Sequence, residues 1–488
     1  MRTLADLPFD NSYARLPAAF HQRIAPTPVP DAYLVAFNPD AARLIDLDPT
    51  EAMSADFVQY FAGNKKLPGS DPVAMKYAGH QFGTYVPQLG DGRAILLGEV
   101  KNAAGERWDL HLKGAGKTMF SRFGDGRAVL RSSIREYLAC EAVHALGIPT
   151  TRALCIVGTD LEVYREGVES GALIVRLAPS HIRFGSFEVF AHRGQLDALR
   201  TLADYVIELH YPHLKDPDDK YVAFLREVVA RTARLIAKWQ AVGFAHGVLN
   251  TDNMSILGIT LDYGPYGFME EFDPGFICNH SDDTGRYAFD QQPRIGYWNL
   301  AALAGALTSL IAVDEARSAI NTYADVFNAH VQELMAAKLG LATPAEGDQE
   351  LWSGLLDLLA EARADYTIFF RVLGTFRTGP AEANDPIRRL FQDPARFDAW
   401  TGRYRDRLRS EGSLDVERKA RMDRVNPKYV LRNYLAQIAI EKAERKDFSE
   451  VDRLRGVLRS PFDEQPEMEH YARPAPEWAK RLQVSCSS

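Results

Sequence analysis

The sequence has little cysteine, no long apolar run and no excess of basic residues. No stretch reaches the roughly 18 consecutive apolar residues of a membrane-spanning helix. The first twenty residues carry Asp6 and Asp10 instead of the continuous apolar core of a signal peptide. The net charge of -8 argues against nucleic acid as the main partner, although a local basic groove for a nucleotide stays open. We therefore expect a cytoplasmic protein that binds neither membrane nor nucleic acid.

The four cysteines, Cys140, Cys155, Cys278 and Cys486, form no CxxC pair and have no neighbouring histidines at zinc-ligand spacing. The simplest interpretation is buried or free thiols in a reducing compartment. Cys486 differs because it lies in a polar tail, where its thiol would be exposed and able to react. A redox role for Cys486 is therefore the alternative.

The length and composition predict a large folded core. The chain has 488 residues, which is longer than one ordinary domain. Of these residues, 46% are hydrophobic and 25% are charged, as in a globular protein with a large core. Strand patterns dominate up to about residue 177 and helical patterns dominate afterwards. We found no flexible interdomain linker and no low-complexity segment. A two-lobed α+β enzyme is the expectation.

The segment from His246 to Gly264 holds a candidate metal site. Kinase-like enzymes have a catalytic loop H-R-D-L-x-x-x-N followed by a short strand and D-F-G, in which the Asn and the second Asp hold the metal. Asn253 and Asp262 fit these two positions. Val248 stands where such enzymes keep the catalytic Asp, and it can accept no proton. The alternative is that Asn253 and Asp262 only serve turns at the ends of a strand.

A glycine-led hairpin is predicted upstream of this segment. Gly90-Asp-Gly92-Arg93 precedes strand patterns over 94–100 and 107–113, with a turn over 102–105. Glycines allow backbone N–H groups to approach phosphate oxygens, and Lys113 would add a point charge. Alone, such a Gly-x-Gly is weak support for a nucleotide site.

The pentapeptide Gly-Asp-Gly-Arg-Ala recurs at 124–128, before a predicted helix that Gly147 ends. Asp125 is placed to cap that helix, and a nucleotide contact is the alternative. Glu136 and Glu141 both lie among apolar neighbours, so either could face inward and pair with Lys113. Periodicity does not choose between them.

Arg176 lies in an otherwise apolar strand and needs an anionic partner, because a buried unpaired guanidinium is costly. A salt bridge to Asp or Glu would also satisfy it. Helical patterns follow at 195–209 and 221–242, and later at 300–311, 316–337 and 351–362. A long buried helix before the catalytic loop fits a helical lobe.

Together these motifs resemble the selenoprotein O family, kinase-fold proteins regarded as protein adenylyltransferases. The resemblance is carried by residues 76–83, 88–93 and 110–116, the second glycine loop with Arg135-Glu136-Tyr137, and residues 246–264. It implies an α+β, two-lobed protein-kinase-like fold with an N-terminal extension and an extended helical C-terminal region. Residues 1–178 would form the extension and the nucleotide-binding N-lobe, and residues 179–488 the helical C-lobe with the catalytic loop.

The resemblance also implies roles for individual residues. Lys113 and Glu136 would form the ion pair that bridges the lobes, and Asp252 would accept the proton in place of the residue lost at Val248. Asn253 and Asp262 would bind Mg²⁺, with Mn²⁺ as an alternative. Arg176 and Arg183 would hold the γ-phosphate. The residues expected around ATP are Gly90, Gly92, Arg93, Lys113, Asp125, Gly126, Arg176, Arg183 and Asp262.

The implied reaction is transfer of AMP from ATP to Ser, Thr or Tyr hydroxyls of proteins, with release of diphosphate. The nucleotide would be flipped relative to ordinary kinases. The motifs themselves predict a nucleotide and a metal but not which phosphorus is attacked. The alternatives are therefore a phosphoryl-transferring kinase of a protein or small molecule, and a non-catalytic pseudokinase scaffold. The implied partners are protein substrates with Ser, Thr or Tyr acceptors. The sequence does not determine the oligomeric state, for which we expect a monomer.

The resemblance also implies that metazoan members of the family carry selenocysteine near the C-terminus, where this chain has Cys486. The resemblance therefore leaves selenium chemistry in doubt here and suggests a Cys278–Cys486 disulfide as a redox control.

Overall fold

The computed structural model describes residues 1–214, 218–391 and 393–484. In that part of the chain the strands are β1 His21–Arg23, β2 Tyr33–Phe37, β3 Val73–Met75, β4 Gly79–Gln81, β5 Thr84–Val86, β6 Ala94–Lys101, β7 Arg107–Lys113, β8 Ala128–Val129, β9 Arg152–Tyr164, β10 Val168–Ala178, β11 Phe244–Ala245 and β12 Gly267–Phe268. The helices are α1 Pro39–Leu44, α2 Ala55–Phe61, α3 Leu130–Ala145, α4 Phe184–Ala191, α5 Leu196–His210, α6 Lys220–Ala241, α7 Gln292–Ala306, α8 Val313–Asn321, α9 Tyr323–Lys338, α10 Asp348–Ala362, α11 Tyr366–Leu373, α12 Asp385–Arg388, α13 Pro394–Ser410, α14 Asp415–Asp423, α15 Asn433–Ala443 and α16 Ser449–Leu458.

An antiparallel sheet in the order β1-β3-β6-β7-β10-β9-β2, with β8 paired to β10, forms the first part of the molecule. The predicted hairpin is confirmed, because β6 and β7 pair from Ala94 opposite Lys113 to Lys101 opposite Arg107. On the other side of β7, β10 places Arg176 opposite His111. Two cationic side chains, Lys113 and Arg176, thus come from neighbouring strands of one sheet.

Both faces of the sheet are covered. Helix α3 packs on one face, where Ile134 and Leu138 share a core with Ile174. The N-terminal segment covers the opposite face, where Leu4 and Phe57 pack with other buried apolar residues of the strands. Because α3 is buried along almost its whole length, both of its candidate glutamates are removed from water.

The chain after β10 is mostly helical, and its boundaries differ in part from the sequence prediction. Helices α5 and α6 confirm the patterns at 195–209 and 221–242, and α10 contains the predicted segment 351–362. The expected helix over 300–311 instead begins at Gln292 and ends at Ala306. The expected helix over 316–337 is divided at Thr322 into α8 and α9.

None of the helices that the structure describes combines the length and hydropathy needed to cross a membrane.

Candidate active site

A cleft of about 770 Å³ lies where the glycine loops meet the segment 248–265. It brings together residues that are far apart in the chain. The predicted site residues that line it are Gly90, Gly92, Arg93, Lys113, Asp125, Gly126, Arg176, Arg183, Asp252, Asn253 and Asp262. Glu136 is not part of the lining and contacts the side chain of Lys113 instead. The arrangement makes a shared site feasible, while the role of each residue stays a prediction.

The structure decides which glutamate pairs with Lys113. The Lys113 Nζ donates to Glu136 Oε2 at 2.6 Å, and both groups are buried. Glu141, the other candidate, pairs with Arg152 at 2.6 Å. Burial alone would raise the pKa of Glu136, but the charges of Lys113 and Arg176 lower it overall. The sheet and α3 are therefore joined by an ionised pair at the cleft.

Two buried arginines hold Asp262. The Arg176 Nη1 lies 2.5 Å from Asp262 Oδ1 and 2.9 Å from Glu136 Oε1. The Arg183 Nη1 lies 2.5 Å from Asp262 Oδ2. Burial opposes ionisation, yet the charges of the two arginines hold the pKa of Asp262 well below its usual range. The salt bridge that the sequence left open as a partner for Arg176 is thus present.

His111 extends this network toward the first glycine loop. Its Nδ1 lies 2.7 Å from Arg176 Nη2, and its Nε2 lies 3.0 Å from Asp91 Oδ2. The Asp91 carboxylate also accepts the backbone N–H of Met75. Sequence analysis assigned no role to His111, although its place opposite Arg176 follows once the strands are in register.

Asp252 is buried in the cleft and only partly hydrogen-bonded. Its Oδ2 accepts from Gln81 Nε2 at 3.0 Å, whereas its Oδ1 has no hydrogen-bond partner in the described part of the chain. Burial raises the pKa of Asp252 to about 6. Gln81 was not predicted as a site residue, although it belongs to the motif at 76–83. The sequence signal that could have indicated it is a polar side chain within a segment rich in glycine and aromatic residues.

The loop around Asp252 is close to β4. A side chain at Gly79 would meet Asp252 Oδ1 at 2.8 Å, so this approach requires a glycine. Asn253 Nδ2 donates to the backbone oxygen of Val248 at 3.1 Å, which leaves its carbonyl oxygen available as a ligand. His246 Nε2 bonds the backbone oxygen of Leu261 at 2.9 Å. His246 thereby ties the loop to the segment that carries Asp262.

The segment between Asn253 and Asp262 does not form a regular strand. Among the described residues it makes single bridges, from Met254 to Thr260, from Ser255 to Arg183 and from Thr260 to Thr150. Asp262 itself has a left-handed backbone with φ of 52°. The short strand expected between Asn253 and Asp262 is therefore absent from this described segment, and whether the two residues bind a metal or only serve turns stays a prediction.

The second glycine loop also corrects an expectation. The N-cap of α3 is Val129, and no side chain caps this helix. Asp125 lies upstream in the loop, where it accepts the backbone N–H of Arg127 and pairs with Arg165 at 2.8 Å. The predicted capping role of Asp125 is wrong because the short strand β8 separates the loop from α3.

Arg93 is a cation of the cleft that has no carboxylate partner in residues 1–214, 218–391 and 393–484. Its backbone oxygen accepts from Gly114, but its guanidinium makes no ion pair with a described residue. Burial lowers the pKa of Arg93. An anion bound in the cleft would relieve this cost.

The cysteines are only partly covered by the described residues. Cys140 and Cys155 are buried, and burial raises the pKa of both thiols. Cys486 lies outside the described residues, so the suggested Cys278–Cys486 disulfide stays a prediction. The backbone N–H of His280 donates to the carbonyl of Val484 at 2.8 Å, and His280 is two residues after Cys278 in the chain.

Comparison with known proteins identifies the family. Residues 3–459 match the family model described as protein adenylyltransferase SelO. The chain is 62% identical to a protein nucleotidyltransferase YdiU of Myxococcus xanthus and 60% identical to one of Thioalkalivibrio sulfidiphilus. It is 54% identical to that of Pseudomonas fluorescens, and each of the three comparisons covers 100% of both chains. The chain belongs to the SelO family.

Family membership confirms the resemblance drawn from the motifs. The chain is therefore an enzyme of the nucleotidyltransferase class. The description of the family model names adenylyl transfer to protein as the reaction. ATP is accordingly the nucleotide substrate to consider in the cleft. The acceptor residues, the metal and the orientation of the nucleotide are separate questions.

Proposed function

We propose that the protein transfers AMP from ATP to Ser, Thr or Tyr hydroxyls of other proteins and releases diphosphate. The sheet with α3 would act as the N-lobe of a kinase-like fold, and the helices after residue 178 as its C-lobe. The observation that carries the proposal is the pair of buried arginines, Arg176 and Arg183, that converge on Asp262 in the cleft.

The positions of these arginines favour a flipped nucleotide. The side chains of Arg176 and Arg183 are each only 2% exposed, whereas the side chain of Asp262 between them is 22% exposed. A terminal phosphate held by both guanidinium groups would be buried, out of reach of a hydroxyl on another protein. The α-phosphorus would then lie nearer the opening of the cleft. Unpaired Arg93 and the loop glycines Gly90 and Gly126 would contact the rest of the nucleotide.

Asn253 and Asp262 fit a hard divalent cation, because Mg²⁺ prefers carboxylate and amide oxygens. The carbonyl oxygen of Asn253 is available, and the Asp262 carboxylate is ionised through its arginine partners. A Mg²⁺ ion held there would stabilise negative charge on the phosphate oxygens during transfer. Mn²⁺ could use the same donors.

The proton and the leaving group can be followed on this chain. The acceptor oxygen forms a bond to the α-phosphorus while the bond from that phosphorus to the bridging oxygen of diphosphate breaks. Asp252 would accept the proton of the hydroxyl, since a carboxyl with a pKa of about 6 is largely ionised at pH 7 and yet more basic than an ordinary one. Gln81 would orient this carboxylate, and Lys113, fixed by Glu136, would contact the phosphates.

The mass of the modified protein tests the proposal. After incubation of a bacterial protein extract with the purified enzyme, Mg²⁺ and ATP, modified peptides should gain one adenylyl group on Ser, Thr or Tyr. Asp262→Ala should abolish the modification. Asp314→Ala, which removes a carboxylate that is 93% exposed on α8, should leave it unchanged. Peptides that gain phosphate instead would support the kinase alternative.

A further inference from the structure

A cluster of two histidines and one glutamate lies behind the catalytic loop. His80 is on β4, Glu188 is on α4, and His192 follows the end of α4. One ligand atom from each residue lies within 4.8 Å of the other two. No residue of this cluster belongs to the cleft lining. It is therefore separate from the Asn253 and Asp262 pair.

The glutamate supplies an independent sign of a missing ligand. The side chain of Glu188 is 0% exposed, and its Oε1 lies 2.5 Å from His80 Nδ1. Its other oxygen, Oε2, has no hydrogen-bond partner in the described part of the chain. A buried carboxylate oxygen without a hydrogen-bond partner destabilises the folded protein, and more so when the carboxylate is charged. A cation bound at this cluster would remove that cost.

The surrounding rings orient the histidines. Tyr85 stacks on His192 with ring centroids 3.9 Å apart, and Trp298 lies edge-on to His80 at 5.2 Å. His192 is exposed, which gives an ion a path from solvent. Ligand atoms that share a tetrahedral Zn²⁺ at roughly 2.0 to 2.2 Å are roughly 3.3 to 3.6 Å apart. The ligand atoms of the cluster lie within 4.8 Å of one another, so side-chain rotations would have to bring the more distant ones closer.

We propose that His80, Glu188 and His192 form a binding site for a divalent transition metal such as Zn²⁺. Two imidazoles and one carboxylate match the ligand preference of Zn²⁺ and its neighbours and differ from the all-oxygen set that Mg²⁺ prefers. Water would complete the coordination, as in sites with three protein ligands.

The site has a direct structural connection to catalysis. The backbone N–H of His80 donates to Thr251 Oγ1 at 2.7 Å, and the next residue, Gln81, holds Asp252. A metal on His80 would restrict the motion of β4 and therefore of Gln81. The metal would thus stabilise the position of Asp252 without touching the nucleotide.

The test measures Zn²⁺ binding to the full chain after removal of metals with a chelator. The wild type should bind one Zn²⁺ that His192→Ala, a change at an exposed residue, weakens at least about tenfold. Glu188→Gln should weaken it as well. The control is His330→Ala, because His330 lies 3.1 Å from Glu333 and belongs to no three-residue cluster among the described residues.

Two further measurements test the same site. Co²⁺ in place of Zn²⁺ should give visible absorption bands in the wild type that His192→Ala removes. Bound Zn²⁺ should raise the melting temperature of the wild type and of Asp262→Ala equally. Asp262 is not a ligand of the proposed Zn²⁺ site, and binding of Zn²⁺ does not require nucleotide transfer. The proposal is overturned if the wild type binds no Zn²⁺, or if His192→Ala and His330→Ala bind it as tightly as the wild type.

Discussion

Helix α3 offers a matched comparison that separates a catalytic ion pair from a structural one. Glu136 accepts from Lys113 at 2.6 Å and from Arg176 at 2.9 Å, and Glu141 accepts twice from Arg152 at 2.6 and 2.9 Å. Both carboxylates are buried on the same helix. Glu136→Gln and Glu141→Gln each keep the side-chain shape but leave a buried cation without its partner.

Breaking a buried ion pair in this way costs about 3 to 5 kcal/mol of unfolding free energy. We expect Glu136→Gln to lie near the lower limit, because Arg176 keeps its contact with Asp262. The two variants should therefore lose similar stability in urea unfolding. Their transfer activities should differ strongly: a loss of about 100-fold for Glu136→Gln, equivalent to about 2.7 kcal/mol in the barrier, and less than about threefold for Glu141→Gln.

The assay is the initial rate of adenylyl transfer, measured well below the unfolding transition of either variant. Glu136→Asp offers a further check, because a shorter carboxylate should restore stability better than it restores the rate. Equal loss of activity in Glu136→Gln and Glu141→Gln would refute the catalytic role of the Lys113–Glu136 pair. It would mean that only the stability of the sheet and helix matters.

Two other predictions concern the cleft, and a third concerns the buried Lys338 at the end of α9. Gln81→Leu removes the hydrogen bond to Asp252, so kcat should fall about tenfold with little change in KM for ATP, as steady-state kinetics would measure. Mg²⁺ alone should raise the melting temperature little and Mg²⁺ with ATP much more, because in the proposed binding mode the ATP phosphates would take over Arg176 and Arg183, the arginines that hold Asp262. Burial lowers the pKa of Lys338 to about 7, whereas its contacts with the rings of Phe370 and Tyr366 favour the charged form. Lys338→Met should therefore stabilise the protein by at most about 3 to 5 kcal/mol in urea unfolding near pH 6. A lysine with a lowered pKa in the folded protein is costly at and below that pKa, and the gain should shrink as pH rises from 7 toward 10.5.

Each of these predictions has a contrary result. A rise in KM without a change in kcat for Gln81→Leu would place Gln81 at the substrate instead of at Asp252. Full stabilisation by Mg²⁺ alone would mean that Asp262 binds metal without nucleotide. A gain for Lys338→Met that is equal at pH 6 and pH 10 would show that packing, and not the buried charge, is responsible. Gln437→Leu, at a partly buried position on α15 outside the cleft, is the control for Gln81→Leu.

Local patterns predicted the hairpin and many of the helices because their signals lie within short windows. Strands β6 and β7 alternate or run apolar between clear turn residues, so the prediction over 94–100 and 107–113 was nearly complete. The same is true of α5 and α6. Helix boundaries were less certain where the pattern continues through a break, as at Thr322 between α8 and α9.

The choice between Glu136 and Glu141 could not be made from periodicity. Helix α3 is buried on nearly all sides, so its sequence shows no polar face that would separate Glu136 from Glu141. The decision depends on which strand supplies a cation to each side, Lys113 from β7 or Arg152 from β9. That information appears only when the sheet is assembled.

Long-range contacts also explain the site residues that were missed or misassigned. Gln81 reaches Asp252 across 171 positions of the chain, which no local pattern can indicate. Asp125 was expected to cap α3, but the pairing of β8 with β10 displaces the loop from the helix end. The candidate metal cluster needs β4 and α4 to meet, and its two histidines are 112 positions apart.

The most direct test of the central claim uses ATP labelled at either the α- or the γ-phosphorus. The purified enzyme is incubated with Mg²⁺, a protein extract and each labelled nucleotide, and protein-bound label is measured with Asp262→Ala as the blank. The account predicts stable label from the α-phosphorus alone, with diphosphate released. Label from the γ-phosphorus alone would contradict it, because the terminal phosphate would then be transferred to protein instead of remaining buried against Arg176 and Arg183.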